Sequence, residues 1–460
     1  MPLLPLLSPP IALVPVLAAL QRAGGRVLVV GGAPRDALLG IPAHDWDLEV
    51  HGLSEARMAE CLIPCNAQRI GGHRAVWVVT GAEISLPQGP GGRIDPHLPW
   101  AIAAQRRDFS VNALAWDWGA QRLLDSVGGV TDLHARRLRM VGADTFAEDP
   151  LRIFRAARLA GQLGFSIETR SAALCRQLAP RLQGIPGERL RKEWEALLLR
   201  GGHLIRAWDG LALTGTITQF PELRALQAVP QRPDAHPEGD VWIHTGRVLA
   251  AAGQLRRGDR AHDLPLMLGA LLHDLGKAST TRRDPQGRWR AFGHEQALAT
   301  AHAFLGRYFP GNRVSRQVLP LIRWHGAPYA LHRDSAGRAA YARLALRLPD
   351  RPLLLDVALA DARGAGTEQP PALAHTRKVW QEMDLWSSLP EPLLKGSDLM
   401  ASGMVPGPTL GKALALAHEI QVTMGIKDRP QLLAALRQRL PEINPRDGRA
   451  CSPPPHSPTD

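Results

Sequence analysis

Hydrophobic and polar positions follow two regimes along this chain. Val27 to Val30 is an unbroken apolar run closed by Gly31-Gly32. It reads as a buried strand that ends where the backbone must approach something closely. A short helix over Leu17–Gln21 precedes it, and a second strand carries Asp45 and Asp47. Ala75–Val79 and Ile84–Leu86 read as further strands. From Phe146 onward the apolar period is helical and recurs through Leu440, with Gly and Pro punctuating short connections. The pattern predicts an α+β fold, in which a head with a small β-sheet over residues 16–143 is followed by an all-α body. No tandem repeat is visible. Residues 444–460 contain Ser452-Pro453-Pro454-Pro455 and little to bury, so they read as a disordered tail.

Composition narrows the picture. The 460 residues allow two to four domains, and 45% hydrophobic content makes sizeable cores feasible. Lys and Arg number 55 against 43 Asp and Glu, a net charge of +12. That excess fits a polyanionic partner such as RNA or DNA, although an Arg-rich, high-GC composition produces the same imbalance. Cys61, Cys65, Cys175 and Cys451 form no paired metal-ligand pattern, and nothing demands an oxidising compartment. Cys61 and Cys65 read as one turn apart on a helix. Met1–Leu20 is apolar but interrupted by five prolines and lacks a basic leader, so it is a poor signal peptide. No stretch is long and apolar enough to span a bilayer, and a cytoplasmic protein is expected.

Three clusters carry candidate chemistry in the first half. Asp45 and Asp47, two apart on a strand, point to one face, where two carboxylates repel unless a cation lies between them. Mg²⁺ takes hard oxygen ligands and bridges phosphates, so the strand, the Gly-Gly turn and the Asp pair together point to nucleotidyl transfer. Arg106-Arg107-Asp108-Phe109-Ser110-Val111-Asn112-Ala113 is the second cluster. Its arginines suit triphosphate oxygens, and Asp108 and Asn112, four apart, would share a helical face. The third is Glu148 to Arg158, in which Pro150 fits the first turn of a helix capped by Asp149. Arg152, Arg155 and Arg158 then form a stripe opposite Ile153, Phe154 and Leu159.

Gly-Gly-X-X-Arg-Asp, Asp-X-Asp, Arg-Arg-Asp-Phe-X-X-Asn-Ala and Glu-Asp-X-X-Arg, in that order, resemble class II tRNA nucleotidyltransferases and bacterial poly(A) polymerases. Gly187-Glu188-Arg189-Leu190 with Glu193 resembles the next motif of that family. The resemblance spans residues 26–205. It implies that Asp45 and Asp47 hold Mg²⁺ and that Gly31, Gly32, Arg35, Arg107, Asp108 and Asn112 belong to the nucleotide site. It further implies that Asp149 and Arg152 read the base edge as a protein template, while Arg155 and Arg158 help hold the nucleotide. Two departures stand out. Pro34 replaces a small aliphatic residue and removes a backbone donor. The segment from Gln88 to Arg106 is shorter than the loop that this family links to the switch from C to A addition, and it lacks that loop's opening arginine. The shortening points to a CC-adding product.

The body carries a second constellation. Trp242-Ile243-His244-Thr245, His273-Asp274-Leu275-Gly276-Lys277, Gly293-His294-Glu295, Trp324-His325-Gly326 and Ala360-Asp361 place imidazoles and carboxylates at dispersed helical positions. Such a set suits a divalent metal that hydrolyses phosphate esters. His273-Asp274 is followed by Gly276, read as a residue that ends a helix. These residues resemble the HD phosphohydrolase superfamily, which implies His244, His273, Asp274 and Asp361 as metal ligands, with His294 and His325 at positions that bind a second metal in some members. The implied domains are a nucleotidyltransferase head (16–143), a nucleotide- and RNA-binding neck (144–205), an HD domain (206–365), a helical C-terminal segment (366–443) and the tail. The implied partners are tRNA, CTP and ATP, with no membrane and no protein partner. The implied cofactors are Mg²⁺ in the head and Mn²⁺, Ni²⁺, Co²⁺ or Mg²⁺ in the HD domain. The implied function is template-independent addition of CC or CCA to tRNA 3′ ends. The competing functions are a poly(A) polymerase, a metal phosphohydrolase whose head binds RNA, disfavoured by the intact Asp45/Asp47 pair, and a pure RNA-binding module, disfavoured because both metal sites are complete.

Overall fold

The computed structural model of the protein describes residues 7–43, 45–71 and 76–440. Ala75 and the tail at 444–460, both assigned above, lie outside them, as do Cys451 and the first six residues. The chain forms two compact units. The first takes residues up to Pro230 together with Gly239–Arg256 and Gly306–Phe309. The second takes Gln231–Glu238, Arg257–Leu305 and the chain from Pro310 on.

The first unit opens with a helix over Val14–Arg22, longer than the sequence pattern marked because Pro15 sits harmlessly in its first turn. A seven-stranded sheet follows. Its strands are β1 (Arg26–Val30), β2 (Trp46–His51), β3 (Gln68–Ile70), β4 (Val76–Val79), β5 (Ala82–Ser85), β6 (Leu114–Asp117) and β7 (Arg122–Asp125). They lie in the order β3-β4-β5-β2-β1-β6-β7, and only β2 and β5 run parallel. Val27 and Val29 turn to a core shared with Trp46, Leu48 and the Val14–Arg22 helix, whereas Leu28 and Val30 pack on Trp100 and Ala104. Both faces of β1 are therefore covered, which is why its sequence is continuously apolar rather than alternating.

Helices Leu151–Leu163, Gly187–Arg200 and Leu204–Leu213 follow in this unit, as do Thr169–Leu178 and Val241–Gln254. Phe154, Trp194 and Phe220 meet edge to face with ring centroids 5.0–5.7 Å apart. Such pairs stabilise by about 0.5–1.5 kcal/mol beyond their burial. The helical region is not wholly α. Arg137–Leu138 pairs with Ser166–Ile167, and Arg282–Arg283 with Trp289–Arg290, as short two-stranded sheets.

In the second unit, helix Arg260–Leu272 is buried almost throughout and packs against Asn312–Trp324 and Arg351–Gly364. A separate apolar cluster, including Leu399, Ile420, Leu432 and Leu436, holds the C-terminal helices together. No described helix is long and apolar enough to cross a membrane.

Candidate active site and metal cluster

β1 and β2 fix the first site. Val30, the last residue of β1, pairs with Asp47, and Asp47 pairs on its other side with Glu83 of β5. Gly31 then adopts φ 76°, and a Cβ there would lie 2.6 Å from Asp47 Oδ2. Only glycine permits both the backbone conformation and the approach. Asp45 is not on the strand as expected, since β2 starts at Trp46. It stands before the strand, exposed, with its carboxylate 3.7 Å from Arg200. Burial raises the pKa of Asp47, and Glu83 and Asp45 push the same way against Arg107 and Arg155. A half-buried carboxylate among like charges fits a cation between Asp45 and Asp47.

Asp45 and Asp47 line a cleft of about 350 Å³ together with Gly31, Gly32, Arg35, Arg107, Asp108, Asn112, Arg152, Arg155 and Arg158. That volume lies in the range of small-molecule sites. Each cleft arginine but one is backed by a carboxylate or amide. Arg107 donates to Glu49 at 2.6 Å, Arg155 pairs with Asp108 at 2.9 Å, and Arg158 donates to Glu193 at 2.6 Å. Arg35 donates to Asp36 at 2.8 Å and to Asn112. Burial opposes the charge on Glu49, but Arg107 and His51 outweigh it and lower its pKa. Burial likewise opposes Asp108, yet Arg155, Asn112 and the Phe109 amide hold its carboxyl down to about 2. The exception is Arg152. It has no carboxylate in ion-pair contact among the described residues, its Nη1, like Nε of Arg155, is buried without a hydrogen-bond partner, and burial lowers its pKa against the pull of Asp108 and Asp149. A buried guanidinium donor left over in a polar cleft is available to a ligand.

Two local expectations need correction. Asp108 and Asn112 meet, with Asn112 Nδ2 donating to Asp108 Oδ1 at 3.0 Å, but not on a helix. Asp108 O and the Ser110 amide are bonded to Val141 and Arg139, so Phe109 is held extended and only a 3₁₀ turn follows at Ser110–Asn112. Asp149 does not cap its helix. Its side chain accepts from Arg189 at 2.9 and 3.1 Å, and Pro150 occupies the cap position without a side-chain bond. Arg152 therefore faces the cleft, while Asp149 is engaged by Arg189 and is not among the lining residues.

The second site collects at helix ends. His273 follows the last turn of Arg260–Leu272, and His325 follows that of Asn312–Trp324. His273, His294 and His325 each bond through Nδ1 to a carbonyl three residues back, Ala270, Ala291 and Ile322, at 2.7–2.9 Å. That fixes each ring's orientation and turns its Nε2 away from the backbone, where the His273 and His294 nitrogens meet Asp274. Asp274 sits 3.1 Å from His273 Nε2, 3.3 Å from His294 Nε2 and 2.7 Å from Lys277 Nζ. Asp361, inside Arg351–Gly364, is 3.7 Å from His273 Nε2. Ligand atoms of Asp274, His294 and His325 all lie within 4.8 Å of one another. Burial opposes the charge on Asp274, but His273 and Lys277 outweigh it and hold the carboxyl well below the usual range. Burial pushes His325 down to about 4, so its ring is neutral and able to ligate. His244 belongs to the first unit, buried in helix Val241–Gln254. Gly276 does not end a helix, as read from the sequence, but precedes the short helix Lys277–Thr280. Its φ is −62°, and a Cβ there would lie 2.1 Å from the carbonyl oxygen of His294. The glycine lets the His294 segment close on Asp274.

Across 91% of its length the chain is 35% identical to a Deinococcus radiodurans A-adding tRNA nucleotidyltransferase, of which the match covers 96%. The chain belongs to the tRNA nucleotidyltransferase family. A multifunctional CCA protein of Thioalkalivibrio sulfidiphilus is 33% identical over 87% of this chain and 98% of its own. Three family models match: the poly A polymerase head domain at residues 100–139, the "Probable RNA and SrmB-binding site of polymerase A" at 164–226, and the HD domain at 241–365. The fold is that of a Bacillus stearothermophilus CCA-adding enzyme solved in complex with CTP (TM-score 0.65, 23% identity, 94% of this chain and 99% of that one). A Thermotoga maritima CCA-adding enzyme solved with tRNA is also similar (TM-score 0.60, 18% identity, 95% and 97%). This chain is thus a tRNA nucleotidyltransferase with an HD domain, and both domain families are metal-dependent.

Sequence reasoning overlooked several cleft residues in this nucleotidyltransferase. Arg200 and Gln162 line the cleft, and Glu49 supports Arg107. Glu49 was findable, being two residues after Asp47 on the same strand face. Arg200 ends a helix more than 150 residues from Asp45 and carries no local signal.

Proposed function

We propose that this chain adds CC or CCA, from CTP or from CTP and ATP, to tRNA 3′ ends without a nucleic-acid template. The observation that carries this reading is the single cleft that joins the Asp45/Asp47 pair to the unpartnered donor of Arg152. Asp45 and Asp47 would hold Mg²⁺, which when bound activates the RNA 3′-hydroxyl and neutralises the leaving pyrophosphate. Gly31 and Gly32 admit the phosphates close to the backbone, and Arg107, Arg155 and Arg158, oriented by Glu49, Asp108 and Glu193, bind their oxygens. Arg152 offers N–H donors to acceptors on the base edge. Asp149 joins it in base reading only after exchanging its bond to Arg189.

We infer a product of two C residues from the segment after Gln88. It is short and closed on itself, with Gln88 bridging Ile94 and the Gly89 amide bonded to Arg93 O at 2.8 Å. Such a turn supplies little lever for reorienting Arg152 between CTP and ATP. Terminal A addition is the second reading, favoured by the full-length similarity to an A-adding relative. Incubating the protein with tRNA ending at the discriminator base and with tRNA ending in CC, with CTP and ATP separately and together, and sequencing the products decides between them. Two added C residues support the first reading. A added only to tRNA already ending in CC supports the second, and long A tracts would make the chain a poly(A) polymerase.

The His273/Asp274 cluster of the second unit, with Asp361, His294 and His325, is assigned a metal-dependent phosphatase or 2′,3′-cyclic phosphodiesterase activity. Its mixed imidazole and carboxylate donors suit Mn²⁺, Ni²⁺ or Co²⁺, with Mg²⁺ as the harder alternative. Screening cyclic nucleotides with each metal tests it, and inertness with all four would reduce the domain to an RNA-holding arm. The setting proposed for both activities is the cytoplasm.

A further inference from the structure

The second unit carries a basic, aromatic hairpin that neither site uses. Arg282–Arg283 pairs with Trp289–Arg290, and Asp284 closes the turn by accepting from the Gln286 and Arg288 amides at 3.0 and 2.9 Å. Four arginines, 282, 283, 288 and 290, stand against the single Asp284. The Arg283 guanidinium lies 4.6 Å from the Trp289 ring centre, and that of Arg290 lies 6.0 Å from the Phe292 ring centre. Phe292 is 79% exposed, the most exposed aromatic among the described residues. Burying it would gain about 2 kcal/mol, so folding does not account for its position.

The placement relative to the metal cluster is what gives the hairpin meaning. Phe292 lies one residue beyond Ala291, whose carbonyl orients His294 at 2.8 Å. Trp324 directly precedes His325 in the chain and has guanidiniums on it from Arg323 at 5.4 Å and Arg347 at 5.3 Å. The His294 and His325 rings are 5.6 Å apart. Each of these two histidines thus follows, within two residues along the chain, an aromatic residue accompanied by arginine. Aromatic faces stack on bases at about 1–3 kcal/mol per base, and arginines add phosphate contacts and cation–π attraction. A free mononucleotide has one base and would leave most of this surface unused. An RNA strand would engage both rings and the arginine run.

We propose that the 281–293 hairpin and Trp324 form a strand-binding platform that presents the 3′ end of single-stranded RNA to the Asp274–His294–His325 cluster. The proposal rests on the phosphohydrolase reading of that cluster and names its substrate as an RNA terminus rather than a free nucleotide. For a terminal 2′,3′-cyclic phosphate, the oxygen of water forms a new bond to phosphorus. The P–O2′ or P–O3′ bond breaks, and the released ribose oxygen takes the proton that water gives up, leaving a phosphomonoester.

The test uses the full chain and a short oligoribonucleotide with a 2′,3′-cyclic phosphate end and 4-thiouridine beside it. Irradiation should cross-link it to the 281–293 peptide, as mapped by mass spectrometry. Phe292→Ala and Arg282→Glu, both exposed and outside the metal cluster, should each raise KM for the oligonucleotide roughly tenfold. KM for a 2′,3′-cyclic mononucleotide, nucleotide addition to tRNA and the melting temperature should stay unchanged. Cross-links confined to other segments, or equal KM changes for both substrates, would overturn the platform. If the wild type hydrolyses neither substrate with any of the four metals, the phosphohydrolase reading fails. The cross-link then decides the platform by itself.

Discussion

The cleft in the first unit and the imidazole cluster in the second both centre on carboxylates, yet they are solvated in opposite ways. The Asp45 side chain is 84% exposed, and Asp47 stands half-buried beside Gly31. Asp274 and His273 are sealed, at 1% and 0% exposure. A site for a hard cation, a triphosphate and an RNA end needs open volume and oxygen ligands that can keep water on the metal. A site of imidazoles needs rings locked in orientation, which here comes from backbone carbonyls at helix ends. The open site can therefore lose a ligand at little structural cost, whereas the sealed one cannot.

The largest effect separating the two is expected from Asp47→Ala. It should lower nucleotide addition roughly a thousandfold or more, with melting temperature and hydrolysis by the second site unchanged. Radiolabelled CTP incorporation into tRNA lacking its 3′ end measures it, and near wild-type incorporation would remove the carboxylate pair from the site. Asp274→Asn is the mirror experiment. It should abolish phosphohydrolysis and spare addition, but it should also destabilise the fold by about 3 kcal/mol, because Lys277 loses its buried counter-ion. Chemical denaturation of the two variants side by side tests the contrast, and equal stability would erase it.

Glu193→Ala probes whether the open site has a sealed floor. Arg158 and Glu193 expose only 14% and 11% of their side chains, so an orphaned Arg158 should cost about 2–4 kcal/mol. Addition should fall less than in Asp47→Ala. The smallest effect is a pH dependence at Asp108. Its carboxyl is held to about 2 in the folded protein, and an unfolded aspartate titrates near pH 4. The depressed value contributes about 2.5 kcal/mol above pH 4, and this is lost as pH falls through 2. The melting-temperature gap between wild type and Asp108→Asn should shrink as the buffer is taken from about pH 6 to about pH 3. A constant gap would mean that Asp108 titrates normally.

The residue types of both sites were legible because local chemistry constrains them. An apolar strand running into Gly31-Gly32 and an alternation through Asp47 report on backbone geometry within a few residues. The Arg152, Arg155 and Arg158 stripe was legible for the same reason, since helical spacing alone puts the three side by side. Asp108 and Asn112 show where this fails. Their spacing of four reads as a helix, but residues 139–141 claim the backbone groups and impose an extended turn that brings the same side chains together. Asp149 fails likewise, because Arg189, forty residues on, outcompetes the helix cap.

The sequence by itself determined the order of elements, the α+β division and the chemical character of each ligand set, since these follow from periodicity and side-chain type. Tertiary structure alone decided which carboxylate backs which arginine, that Arg152 keeps an unpaired donor, and that Gly276 serves a close approach rather than a helix end. Those outcomes depend on contacts between residues far apart in the chain, where packing and competing hydrogen bonds override local preference.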